Sequence, residues 1–224
     1  MNDQEWGQCT DPMQMLAYLD ANANARKPLL LACACHVRLR SYLPESVPHL
    51  SSSLRDWHVV AFEVAEGRRD TVDLCLGCAE WLEEYHSQAY ARAPIGVKGA
   101  LHALWDVISG AWKAEGAVMM CPEDGDSGKG WEAERLVHVE FVRDIFGNPF
   151  RPVAVDPAWL AWRDGTCPKI AQRIYDERAF ADLPILADAL EEAGCRSAEL
   201  LAHCRHPAPH VRGCWAVDLI LGKT

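Results

Sequence analysis

No apolar run in this chain approaches the ~18–20 residues that a membrane-crossing helix needs, so no transmembrane segment is expected. The opening MNDQEWGQCTDP has neither a basic stretch nor an apolar core, and no signal peptide is expected from it. Positive charge is in short supply. Twenty-two Lys and Arg face 32 Asp and Glu, for a formal net charge of −10. That balance repels nucleic-acid backbone and anionic membrane surfaces on average. Neither a G-x-S-x-G elbow nor an H-E-x-x-H pair occurs. The stretch Gly125–Gly130 lacks the first glycine of a phosphate-binding loop and has Gly130 where Ser or Thr would reach magnesium. Asp124 and Asp126 begin like a calcium loop, but Gly128 and Lys129 replace a later ligand and the required glycine. Catalytic residues are therefore not assigned, and the chain reads as leaning away from an enzyme.

What is present is ordinary globular material. Half of the 224 residues are apolar and 24% are charged, which suits a packed core and not disorder. Ten cysteines without an export signal predict reduced thiols in the cytoplasm, not a disulfide framework. Nine tryptophans mostly sit at helical spacing beside Leu or Val, so core packing explains them better than base stacking.

Helical spacing and its punctuation recur along the chain, predicting an irregular all-α globular protein of about ten short helices. Thr10-Asp11-Pro12 supplies a side-chain oxygen and an N1 proline to start a helix that stops near Asn22. Pro28 opens a second, apolar helix to Leu43. Further helices are expected over Leu54–Glu66, Asp70–Ala91, Ala100–Ala114 and Trp131–Phe146. In the last of these Leu136, Val139, Val142, Ile145 and Phe146 form the apolar face. After a rigid turn at Gly147–Pro152, helices should begin at Asp156-Pro157, near Thr166, at Asp182 or Leu183, at Ser197 and at His210. The acidic, Gly-rich loop 122–130 divides an N-terminal helical region, 1–121, from a C-terminal block, 131–224.

The segments RDIFGNPFRPV, DPAWL, IYDERAF followed by LPILADALEEAGC, and HVRGCWAVDLILGK carry the most distinctive pattern. With the opening EWGQCTDPMQML and the later RKPLLLACACHVR, the chain resembles a large group of planctomycete paralogues with no established function. The resemblance covers roughly 1–45 and 141–224. It implies no activity and transfers no catalytic residue.

Two Cys/His clusters have the atoms to hold zinc. Cys33, Cys35 and His36, with Cys75 and Cys78, fall inside apolar helical patterns. Residues two apart on a helix point about 200° apart, so Cys33 and Cys35 cannot share an ion, and buried packing is expected. The second cluster, Cys195, His203, Cys204, His206, His210 and Cys214, straddles a Pro-rich break. If the last helix begins near Pro209, His210 and Cys214 lie four apart on one face, with Cys204 or His206 approaching from the loop. Those four residues are the metal site the sequence suggests, although their spacing matches no familiar zinc module and packing is the plainer explanation. No cofactor is expected apart from zinc at that cluster.

Asp218 stands among apolar residues and calls for an ion-pair partner, Arg212 or Arg205; the sharper alternative is a catalytic acid beside His210. Asp176, Glu177 and Arg178 read as a solvated helix end. The first functional reading is a non-enzymatic helical interaction or adaptor module with a protein partner. The second is a zinc-binding module or metal-dependent enzyme built on the Cys204–Cys214 region. Nucleic-acid binding, which would need Arg26, Lys27, Arg38 and Arg40 on one exposed face, is not expected.

Overall fold

The computed structural model describes residues 1–19, 26–39, 57–69 and 128–223. Among these the chain is all-α, with no strand. The α-helices are α1 (Asp3–Gln8), α2 (Pro12–Leu19), α3 (Arg26–Leu39), α4 (Trp57–Ala65), α5 (Gly128–Phe146), α6 (Pro157–Ala161), α7 (Thr166–Glu177), α8 (Leu183–Glu192), α9 (Ala198–Arg205) and α10 (Trp215–Leu221). A 3₁₀ turn, Phe180–Asp182, leads into α8. Among the described residues no helix is long and apolar enough to cross a membrane. The helices expected over Asp70–Ala91 and Ala100–Ala114, the loop Pro44–Ser53, and Cys75 and Cys78 lie outside the described residues.

The chain divides into two compact units, Met1–Gln8 with Glu140–Thr224, and Cys9–Val139. In the second unit Asp11 starts α2 as its sequence suggests, its Oδ1 accepting from the Met13 N–H at 3.0 Å. Helix α3 packs on α4. Leu29, Leu30, Leu31, Ala32, Cys33 and Cys35 of α3 are all buried, as an all-round apolar half-helix requires. Burial pushes the Cys33 thiol up to about 12, so it is a protonated packing group. Arg26 gives both Nε and Nη2 to Glu66 Oε1, at 3.0 and 2.9 Å. That pair is largely buried, so Arg26 does not contribute to an exposed basic face.

Helix α5 begins at Gly128, three residues inside the stretch expected to be loop. The long amphipathic run that follows outweighs the roughly 1 kcal/mol that each helical glycine costs. Val139, Val142 and Ile145 are fully buried, whereas Leu136, expected on the same face, is 46% exposed.

The first unit is assembled around α7, which packs against α6, α8 and α10. Its buried residues Cys167, Ala171, Ile174 and Tyr175 follow the helical repeat. Each large apolar side chain so buried contributes ~1.5–3 kcal/mol. Asp176 and Glu177 stay on the solvated side, accepting from Gln172 and Arg173 of the preceding turn. Arg178 closes α7 in the left-handed region, at φ 57°. Helix α8 buries Leu183, Leu186, Ala187 and Leu190, and α9 packs along it. Arg205 at the end of α9 pairs with Asp188 and Glu191 of α8, at 2.8 and 2.6 Å. Arg205 is therefore not the partner of Asp218, which is buried on α10.

The last helix differs most from its expectation. It starts at Trp215, with Cys214 as N-cap, and not at His210. Gly213 has φ +94°, which a right-handed helix cannot contain. Val211–Cys214 instead closes as a turn, with the Cys214 N–H donating to the Val211 carbonyl at 3.0 Å.

Two helix starts in this unit rest on side-chain caps: Asp156 Oδ1 accepts from the Ala158 N–H at 2.8 Å, and Ser197 Oγ from the Leu200 N–H at 3.3 Å. Replacing either by Ala removes one acceptor from a helix N-terminus. Each of Asp156→Ala and Ser197→Ala is expected to lower stability by about 1 kcal/mol, read as a shifted urea midpoint at unchanged slope. No shift in either variant would mean that these caps carry no stability.

Candidate metal centre

Asp144 sits in the last turn of α5, and only 3% of it is exposed. A carboxylate there is doubly disfavoured, because it is buried and lies at the negative end of the helix dipole. Something cationic must compensate it. Two imidazoles turn a ring nitrogen towards it. His210 Nδ1 lies 2.6 Å from Asp144 Oδ1, and His203 Nε2 lies 3.2 Å from the same oxygen. The other carboxylate oxygen, Oδ2, accepts the Val211 N–H at 2.8 Å. One oxygen is thereby fixed by backbone, and the other is turned towards the histidines.

Cys214 completes the group. Its Sγ is 3.2 Å from His203 Nε2 and 4.0 Å from His210 Nδ1. The four ligand atoms, from Asp144, His203, His210 and Cys214, all lie within 4.8 Å of one another, a set that can hold a metal ion. Bonds of ~2.0–2.3 Å in a tetrahedron give edges of roughly 3.3–3.6 Å. The separations of 2.6, 3.2, 3.2 and 4.0 Å lie to either side of that range, so an ion would draw some donors apart and others together.

The tautomer of His210 follows from its outer neighbour. Its Nε2 faces the His206 carbonyl at 3.2 Å, and a carbonyl only accepts. Nε2 therefore carries hydrogen, and Nδ1 is the nitrogen left to face the carboxylate. With Nδ1 unprotonated, two lone pairs would meet at 2.6 Å. A shared proton suits that distance; a metal ion bound to both atoms at ~2.0 Å would part them to roughly 3.3 Å. The backbone carbonyl thus orients the ring as outer partners of metal-bound histidines do.

Electrostatics agree with the geometry. Burial is the largest influence on the Asp144 carboxyl and opposes its ionisation, but hydrogen bonds and charge from His203 and His210 outweigh it and hold the carboxyl below the usual range. Burial also works against the charged form of His210, yet the Asp144 hydrogen bond and charge raise it above an ordinary histidine. Burial, reinforced by the Asp144 charge, pushes the Cys214 thiol well up. A divalent ion would reverse that last effect, because a coordinated thiol loses its proton.

Trp215 and Gly147 position His203. The Trp215 and His203 rings lie with centroids 5.0 Å apart, at 51°. Gly147, at φ +69°, lets the chain turn out of α5 directly beneath that indole. A Cβ at Gly147 would come within 3.1 Å of the Trp215 ring. Beside the cluster is a cavity of about 340 Å³, its walls all from the first unit. Asp144, His203 and His210 line it, and Cys214 does not. Helix α1 forms part of the wall and is held by polar links to the end of α5 and the following turn. Arg143 donates to the Trp6 and Gly7 carbonyls, and Asn148 and Arg151 both donate to Asp3.

Of the four residues singled out in the sequence, the cluster contains His210 and Cys214. They approach through a turn and an N-cap, not along one helix face. Cys204 lies on the core face of α9 with Leu200 and Leu201, and burial, the neighbouring Cys195 and Asp144 push its thiol up to about 12. His206 is exposed at the C-cap of α9, where its Nδ1 accepts the Ala208 N–H at 3.2 Å; it serves the cluster only through its carbonyl. The buried acid beside His210 is Asp144, 66 residues upstream, not Asp218. One local signal marks Asp144: it follows Phe141 by three positions, on the buried face of α5.

Comparison with known families, curated proteins and solved structures found no match.

Proposed function

We propose that the first unit is a metal-stabilised helical module whose ion, zinc by preference, is held by Asp144 Oδ1, His203 Nε2, His210 Nδ1 and Cys214 Sγ. The observation that carries this is the convergence of one oxygen, two nitrogens and one sulfur within 4.8 Å. Mixed N, O and S donors suit zinc, and four protein ligands can complete its tetrahedron. The ion would join α5, α9 and the start of α10, elements that chain connectivity alone leaves far apart. Its charge would also neutralise the carboxylate at the end of α5.

Protein purified without an affinity tag or chelator is expected to hold about one zinc per chain, measured by elemental analysis. His203→Ala, His210→Ala, Asp144→Asn and Cys214→Ser should each lose more affinity than the roughly 10–100-fold that an outer partner is worth. Cys204→Ala and His206→Ala should keep the metal, since neither side chain is a ligand in this arrangement. Retention by the first four variants, or loss in the last two, would assign the ion elsewhere.

Binding should also be visible in stability. Zinc at about 100 times its dissociation constant should stabilise the native chain by about 2.7 kcal/mol, and a chelator should remove that gain. Chelator should leave the melting of Cys214→Ser unchanged. Because the Cys214 thiol must be deprotonated to bind, titration calorimetry in buffers of different ionisation heat should register proton release. Equal melting with and without zinc would refute a stabilising ion.

A further inference from the structure

We infer that the ion has an accessible fifth position on the cavity side, which takes a small neutral oxygen- or nitrogen-donor molecule; this rests on the metal reading above. Cys214 is 1% exposed and closes the site from behind. Asp144, His203 and His210 present their shared face to the cavity. Two histidines and one carboxylate on a single open face are an arrangement to which exogenous ligands add. Zinc that is open to solvent on one side can expand to five-coordinate.

The walls decide the charge of the ligand. Asp3, Glu140, Asp144 and Glu199 face the space against only Arg143 and Arg151. Both arginines are engaged, Arg143 with Glu140 at 2.7 Å and Arg151 with Asp3 at 2.7 Å. A divalent ion cancels the carboxylate excess and leaves the space without net positive charge. An anion gains nothing here, whereas water or a neutral donor enters without opposition. The 340 Å³ cavity has room for more than one water.

The test replaces zinc by cobalt(II) in the full chain and adds imidazole, with azide as the anionic comparison. Cobalt bound through Cys214 gives a sulfur charge-transfer band, which reports that the site is loaded. Imidazole is then expected to cut the visible ligand-field absorbance by about half as coordination rises from four to five, with the sulfur band retained. Azide should bind more weakly than imidazole. A loaded protein whose spectrum ignores imidazole would overturn the open position while leaving the metal site intact. A protein that never takes up cobalt would overturn both. Azide binding more tightly than imidazole would overturn the neutral-ligand assignment. Ala202 lines the cavity from α9 and is not one of the four ligands, so Ala202→Phe is chosen to narrow the space. It should keep the sulfur band and lose the imidazole response. An unchanged response would show that the donor does not enter through this cavity.

Discussion

The carboxylate of Asp144 is the constraint on which the rest of the site depends. It is buried at the wrong end of a helix dipole, so it requires positive charge from its neighbours. Its two oxygens are divided between two tasks. Oδ2 is fixed by the Val211 N–H, which sets the path of the turn before α10. Oδ1 is left to the two imidazoles and, through them, to Cys214. The turn, the helix start and both ring orientations all follow from where this one group sits.

Around it, the scaffold uses modest local devices. A left-handed glycine ends α5 and makes room for Trp215; that indole supports His203, and a backbone carbonyl fixes the tautomer of His210. None of these is strong alone. Together they hold four donors to a spacing that solvated side chains would not keep, since ordering each one costs rotamer entropy. The exposed Arg205, Asp188 and Glu191 group contributes little in comparison, because water screens it.

Much of this was legible in the sequence, and what was hidden has a common cause. Helix starts marked by Asp11-Pro12, Asp156-Pro157, Pro184 and Ser197 lie where their capping chemistry places them, since those signals are local. The burial of Cys33 and Cys35 on α3 also follows from the all-round apolar composition of that half-helix. The start of α10 was misplaced because apolar spacing extends back through His210, while the conformation of Gly213 is set by the turn it must make. His210 and Cys214 were recognisable by type. Asp144 was not, because its pairing spans 66 residues and a lone acid in an amphipathic helix looks solvated until the packing is known. Cys204 and His206 were distractors of the opposite kind, close in sequence but directed to the core and to solvent. The reading as an interaction module drew on the acidic, motif-poor composition and on no particular side chain, whereas the metal reading rests on named atoms.

The first unit joins Met1–Gln8 to Glu140–Thr224, with Cys9–Val139 between them in the chain. Helix α1 thus leaves the ribosome well before the residues from Glu140 onward with which it forms a unit. During synthesis Trp6 has no native cover until α5 and its following turn emerge. At ~5–20 residues per second that interval lasts several seconds or longer. The Trp6 indole, buried in the folded chain, waits through that interval for its partners, so the growing chain carries an apolar group that only the later segment conceals.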